Sequence, residues 1–310
     1  MKDRLVTVIG GGGFAGRYVA QALLKAGARI RIAQRDPRGA FFIKPLGGLG
    51  QTQFIAADVR RPDTLARAVA GADAVVNLAG VFGPTIQAVN ADGAGNVARA
   101  AAAAGVTALA HVSAIGADPD SPSAYGRSKG EGEAQVRAVF PDATILRPSL
   151  IFGQEDQFVN RFAGIAARSP FVPVLKGGTR IQPVFVADVA DAIVAALDKP
   201  QAHAGQTIEL GGPDVMTFTQ FNQWLVQAIG KDKPVVELPD FVGAGLARFG
   251  FLPGAPITWD QWLMLQKDNV AKGDGLRDLG ITPTPLGAVA AAWLVRYRKH
   301  GRFARSRHAA

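Results

Sequence analysis

Two side chains four positions apart carry the most specific chemistry in this sequence. Tyr125 and Lys129 fall in a segment, 124–138, whose pattern predicts a helix, so both project from one face. An ammonium beside a phenol lowers the phenol's pKa from about 10 toward neutrality. Proton transfer to or from a carbonyl oxygen needs such a group. Ser113 ends the preceding apolar run, Leu109–Val112, where its hydroxyl could hydrogen-bond the same oxygen. The three residues read as acid/base, tuner and anchor, or else as a clamp on a bound sugar.

A second constellation opens the chain. Gly10, Gly13 and Gly16 follow the spacing Gly-x-x-Gly-x-x-Gly between a predicted strand and a predicted helix, with Gly12, Phe14 and Ala15 completing the turn. A tight turn, close approach to a pyrophosphate and close helix–strand packing each require a missing side chain. The helix start then offers N–H groups and a positive dipole end to phosphate. A dinucleotide is the expected ligand.

The end of the second strand selects between dinucleotides. NAD-preferring sites place a carboxylate there for the ribose hydroxyls. Here Gln34-Arg35 occupies the place and Asp36 comes a step later. The Arg35 guanidinium, assisted by Arg17, could pair with a 2′-phosphate, which favours NADP(H) and leaves NAD(H) as the alternative; a solvated loop arginine is the bland reading. Asp58-Val59 follows the third strand, suited to holding the adenine. Asn77-Leu78-Ala79-Gly80 ends the fourth, where Leu78, Ala79 and Gly80 let backbone approach a ribose.

Positioning these residues demands a parallel sheet. Arg4–Ile9, Ile30–Ala33, Gln53–Ala56, Ala74–Leu78, Leu109–Val112 and Thr144–Leu146 read as strands, alternating with helices at 14–26, 62–70, 92–104 and 124–138. That alternation implies an α/β, doubly wound Rossmann fold. Gly27, Gly71 and Gly105 each follow a helix, where a left-handed cap favours glycine. The dinucleotide-binding domain is expected over 1–155, completed by about 182–211. The remainder, 156–181 and 212–300, reads as a smaller, mostly helical lobe, followed by a basic tail at 301–310. Its helices are expected at 157–168, 217–229, 258–270 and 285–299. Another is expected from an Asp188 cap to Leu197.

Of the 310 residues, 48% are hydrophobic and 19% charged, enough for a large core and too few charges for a disordered chain. No apolar run reaches the roughly 20 residues of a membrane span, and Met1 leads directly into a strand pattern, so no export signal is expected. Cysteine is absent and the four histidines are scattered, so no metal is expected. The net charge of +9 is concentrated at the end, in Arg296, Arg298, Lys299, Arg302, Arg305 and Arg307. This is either a solvated tail or a contact for anionic lipid or an acidic partner. No recognition motif points to nucleic acid.

Together with the glycine turn, Asn-x-Ala-Gly and Tyr-x-x-x-Lys, the run Arg147-Pro148-Ser149-Leu150-Ile151-Phe152-Gly153 resembles the extended and atypical short-chain dehydrogenases. The segments 46–51, 151–162, 182–189 and 279–286 are similar, more specifically, to the NAD(P)H-binding accessory subunits of respiratory complex I and their bacterial relatives. The resemblance implies NADPH held without turnover, complex I subunits as partners, and a link to ubiquinone. It implies a bacterial cytoplasmic location, peripheral on the inner membrane. It also implies that Pro148, Leu150 and Ile151 contact the nicotinamide end. An active NADPH-dependent oxidoreductase or epimerase using Tyr125 and Lys129 is the alternative. Two departures bear on the substrate side: the serine motif is only Ser113-Ala114, and eleven residues separate Ser113 from Tyr125. The apolar stretch 238–252, with Trp259 and Trp262, reads either as lobe core and lid or as a surface for membrane or partner.

Overall fold

The computed structural model describes residues 1–252 and 254–299. The chain forms two compact units. The first comprises Met1–Pro148, Val186–Gly211 and Ala271–Thr282, and the second Ser149–Phe185, Gly212–Val270 and the chain from Pro283 onward.

In the first unit, strands β1 (Leu5–Ile9), β2 (Arg29–Gln34), β3 (Thr52–Ala56), β4 (Ala74–Asn77), β5 (Ala108–Val112) and β6 (Thr144–Pro148) join the edge strand Thr207–Leu210 in one sheet. The order runs from that edge strand through β6, β5, β4, β1 and β2 to β3, and every pairing is parallel. All five residues of β1 and of β5 are buried, as continuous apolar runs must be when helices cover both faces of a sheet. Helices α1 (Phe14–Lys25), α2 (Pro62–Val69), α3 (Asp92–Ala103) and α4 (Ala124–Val139) make the crossovers. Gly27, Gly71 and Gly105 end the first three with φ of +83°, +66° and +69°.

The register sets the site. Ile9 lies opposite both Ala33 and Asn77, Asn77 opposite His111, and Val112 opposite Leu146. Gly10, Arg35, Leu78 and Ser113 therefore leave the sheet along one edge. The strand order reverses between β1 and β4, the place where such sheets bind ligands.

Several elements differ from expectation. A 3₁₀ segment, Pro37–Leu46, links β2 to β3; with Pro37 and Pro45 it carries no 3.6-residue period to read. The helix expected to start at an Asp188 cap spans Val186–Asp198, and Asp188 is buried in its first turn.

The second unit is built on helices Phe158–Arg168 and Phe218–Ala228, whose aromatic rings interlock; Phe158 stacks on Phe221 at 5.1 Å. Three two-stranded ladders accompany them, pairing Ile151–Phe152 with Val184–Phe185, Arg180–Ile181 with Met216–Thr217, and Val172–Leu175 with Val235–Leu238. The apolar stretch contains a helix, Asp240–Arg248, and the expected 258–270 helix shortens to Trp259–Met264. Trp262 is buried against Gly243, where a Cβ would lie 2.4 Å from the indole, whereas Trp259, Phe241, Phe249 and Phe251 are exposed. The final expected helix covers Leu286–Leu294 with a 3₁₀ turn after it. Two residues assigned to the basic cluster are structural: Arg296 donates to Gln154 O and Asn160 Oδ1, and Arg298 to Ala228 O. Arg302, Arg305, Arg307 and the tail at 301–310 lie outside the described residues.

Helices α3 and α4 approach closely where α4 crosses the π-helical turn Gln87–Ala91 that leads into α3, because Gly132 leaves room for backbone. A Cβ there would lie 2.3 Å from Asn90 O. Gly132→Ala is expected to destabilise the protein by about 1–3 kcal/mol through overpacking. An unchanged melting temperature would contradict this contact.

Candidate functional site

The turn from β1 into α1 is made of backbone. Gly10, at φ +77°, donates its N–H to Ala33 O at 2.8 Å and accepts from Gly13 N–H at 3.1 Å. A Cβ on Gly10 would sit 3.3 Å from the backbone of Leu78 and Ala79, and one on Gly16 only 2.3 Å from Gly11 O. These two positions pack chain against chain, and a side chain at Gly16 would push the helix from the glycine turn that precedes it. Gly13 is the N-cap of α1 and no side chain caps it. The helix therefore presents the N–H groups of its first turn, Phe14, Ala15 and Gly16, without a capping acceptor.

Around this turn lie the other strand tips. Gln34 closes β2, and its carboxamide covers Gly12: a Cβ there would be 2.0 Å from Gln34 Oε1. Its Nε2 donates to Asp36 O at 2.5 Å. Arg35 is exposed. Asp36 spends its carboxylate as a cap, accepting from Arg38 N–H at 3.0 Å. Arg17 lies 4.3 Å over the Phe42 ring. Asp58 is chelated by Arg60 at 2.5–3.2 Å, and that hydrogen bond is the main cause holding its carboxyl down to about 2, with Arg35 adding a smaller pull. Val59 is buried, with its carbonyl taken by Asn96 Nδ2 at 2.8 Å.

At β4 and β5 a buried polar network organises the tips. Asn77 Oδ1 accepts from Ala79 N–H at 3.1 Å, which shapes the Leu78-Ala79-Gly80 bend, while its Nδ2 donates to His111 Nδ1 at 3.1 Å. Lys129 Nζ donates to Val112 O at 3.1 Å and would lie 3.3 Å from a Cβ on Gly80. Ser113 Oγ is buried without a hydrogen-bond partner. Ser123 caps α4 through Gly126 N–H and so sets the phase that turns Lys129 inward. Pro148 ends β6 with its carbonyl accepting Ile115 N–H at 3.1 Å.

The first unit thus gathers the glycine turn with Arg35, Asp58, Val59, Leu78, Ala79, Gly80, Ser113, Tyr125, Lys129 and Pro148. Leu150 and Ile151 fall in the second unit, where both join the ladder with Val184. Contrary to expectation, the Tyr125 phenol is not lowered: burial pushes it up to about 12. Burial also brings the Lys129 ammonium down to about 8, against the opposing pull of Glu133. A cavity of about 680 Å³ along the edge strand, lined by Arg147, His203, Glu209 and Lys272, includes none of these candidate residues. Among the described residues no group of three or more His, Asp or Glu side chains could hold a metal ion.

Residues 6–211 match the model of the NAD dependent epimerase/dehydratase family. This chain belongs to that family. The mouse mitochondrial NADH dehydrogenase (ubiquinone) 1 alpha subcomplex subunit 9 is 36% identical over 307 residues, 96% of this chain and 81% of the mouse protein. A ceramide reductase of Caulobacter vibrioides is 32% identical over 241 residues, 76% and 74% of the two chains. The structure of Citrobacter sp. triphenylmethane reductase complexed with NADP(H) shares the fold, with a TM-score of 0.77 at 21% identity across 93% of this chain and 99% of that one.

Phe82, Asn90 and His111 are parts of this candidate site that the sequence reading passed over. His111 had one signal, a lone imidazole inside an otherwise apolar strand. It is fully buried, and desolvation, with Lys129 nearby, drives its pKa down to about 3. Because Asn77 Nδ2 donates to Nδ1, the neutral ring carries its proton on Nε2. The folded protein stays unprotonated here while the unfolded chain takes up a proton below about pH 6.5. Stability is therefore fully present above that pH and falls as pH drops toward 3, by roughly 1.4 kcal/mol per pH unit. Urea unfolding of the wild type and His111→Gln checks this, with a flatter profile expected in the variant. Parallel profiles would contradict it.

Proposed function

We propose that this chain holds one nicotinamide dinucleotide, NADP(H) in preference to NAD(H), and serves as an accessory subunit of complex I in which the cofactor is not turned over. The carrying observation is the uncapped start of α1 behind a turn in which Gly10, Gly12 and Gly16 leave no ready room for a side chain. The residues present fit such a group: Gly10, Gly12, Gly13 and Gly16 leave backbone bare, and the N–H groups of Phe14 and Ala15 are suited to a diphosphate.

Preference for a 2′-phosphate rests on charge at the tip of β2. Asp58 is engaged on both oxygens by Arg60, and Asp36, a step later than the place of the ribose-binding carboxylate, accepts from Arg38 N–H on Oδ1. Arg35 stands exposed, and Arg17 is braced on Phe42. Asp58 and Val59 border the adenine side in this reading, and Leu78, Ala79 and Gly80 the ribose. Ser113, Tyr125, Lys129 and Pro148 border the nicotinamide end, with the unpartnered Ser113 hydroxyl ready to donate. When bound, a nicotinamide dinucleotide supplies or accepts hydride. The protein's own groups are poorly matched to the accompanying proton transfer. A phenol pushed up to about 12 is a weaker acid than an ordinary tyrosine and far from the near-neutral value that suits exchange with a carbonyl oxygen, and Lys129 Nζ is engaged by the Val112 carbonyl.

Similarity to the mouse subunit, 36% identity over 96% of the chain, supports the assignment to complex I. Among the described residues no helix is long and apolar enough to cross a membrane. Attachment, on this reading, comes through partner subunits, with exposed Phe241, Phe249 and Phe251 available for contact with protein or membrane near the quinone-reducing region. A second reading, an active reductase, is favoured by the Ser113–Tyr125–Lys129 grouping and by the ceramide reductase relative.

Calorimetric titration separates these elements. NADPH is expected to bind more tightly than NADH, and Arg35→Ala to weaken NADPH alone by about tenfold, the order of one charge-assisted hydrogen bond. Equal affinities in the wild type would overturn the NADP preference. Affinity capture of the full chain from detergent-solubilised membranes is expected to bring down complex I subunits. Capture of none of them, with membrane levels intact, would overturn the accessory role. Steady oxidation of bound NADPH by a carbonyl substrate would favour the reductase.

A further inference from the structure

Phe82 is an exposed aromatic in an unusual setting. It follows the Leu78-Ala79-Gly80 bend, and 59% of it is open to solvent. Yet its ring lies on that of Tyr125, with centroids 4.3 Å apart and planes at 14°. That spacing is full contact, and no substrate atom fits between the two rings.

The ring is held there by a polar clamp. Val81, next to Phe82, has both main-chain groups bonded to one side chain: Asn90 Oδ1 accepts its N–H at 2.9 Å and Asn90 Nδ2 donates to its carbonyl at 3.0 Å. The same Nδ2 donates to Ser128 Oγ at 3.2 Å, and the Ser128 hydroxyl donates to Tyr125 O at 2.9 Å. Asn90 is 1% exposed and sits in the π-helical turn before α3. On the other side of Phe82, Gly83 has φ +98°, a conformation that disfavours any side chain. Cover and covered residue are thus wired to one buried amide. A loop so fixed costs little further entropy to keep its aromatic in place.

We infer that Phe82 is the access-determining residue of this site: clamped by Asn90, its ring covers the Tyr125 ring and keeps small carbonyl compounds from the phenol. The inference rests on the reading above that Tyr125 borders the cofactor site, and it supplies a structural reason for absent turnover. The raised phenol agrees with it, since burial alone produces that shift.

The test uses the full chain without added nucleotide. Tetranitromethane nitration of Tyr125 is followed by peptide mass spectrometry, alongside ultraviolet titration of tyrosinate. Phe82→Ala, which removes an exposed ring, is expected to lower the Tyr125 pKa by about one unit and so raise its nitration about tenfold at fixed pH. Nitration of Tyr18 and Tyr297 should not change. Phe82→Tyr retains the stack and is expected to match the wild type, while Asn90→Ala is expected to raise Tyr125 nitration with Phe82 present. A folded Phe82→Ala protein with wild-type Tyr125 nitration and titration would overturn the inference. NADPH binding, measured in parallel, tells the two readings apart. Unchanged Tyr125 with intact binding removes the cover and leaves the cofactor site, whereas exposed Tyr125 in a chain that never binds NADPH does the reverse.

Discussion

The first unit depends on a helix terminus left without a cap. At the start of α1 the backbone N–H groups find no side-chain acceptor, and the turn before them cannot supply one. Gly10 abuts the Leu78–Ala79 backbone, Gly12 lies under the Gln34 carboxamide, and Gly16 touches the Gly11 carbonyl. Burying such a terminus against protein would strand several donors at about 1–3 kcal/mol each. The parallel sheet avoids that cost by bringing all its strand tips to the same edge and leaving the helix start at the point where strand order reverses.

A second constraint is the set of buried polar groups between the tips. Asn77 joins β4 to His111 of β5, Asn90 joins the bend after β4 to α4, and Lys129 joins α4 back to β5. Each bond is ordinary alone, but together they tie two strand ends and a helix into one rigid body. Two atoms are left over, His111 Nε2 and Ser113 Oγ, both buried with no partner. Unpaired polar atoms in a rigid network are tolerated where a ligand completes them.

Much of the fold was legible because its cause is local. Continuous apolar runs such as Leu5–Ile9 mark strands covered on both faces, and glycines 27, 71 and 105 mark helix ends whatever surrounds them. The glycine turn was legible for the same reason, since the absence of a side chain is a property of the residue itself. What stayed hidden depends on tertiary surroundings. Tyr125 and Lys129 share a helix face as their spacing requires, but the direction of the phenol's shift is set by burial, and the ring stacked on it, Phe82, comes from a loop far away in sequence. Asn90 sits in a π turn with no periodic signal. Trp259 and Trp262 look alike in sequence, and only the gap at Gly243 makes one of them core. Arg296 and Arg298 look like tail charges until the carbonyls they bind are seen.

The account stands on a diphosphate resting against the first turn of α1. Native mass spectrometry of the full chain, purified without added nucleotide, measures this most directly. The account predicts a species heavier than the bare chain by one NADP(H), lost on substitution of Gly13 by glutamate, whose carboxylate would occupy the helix terminus. A chain that carries no nucleotide, and takes none up when NADP(H) is supplied in excess, would contradict it.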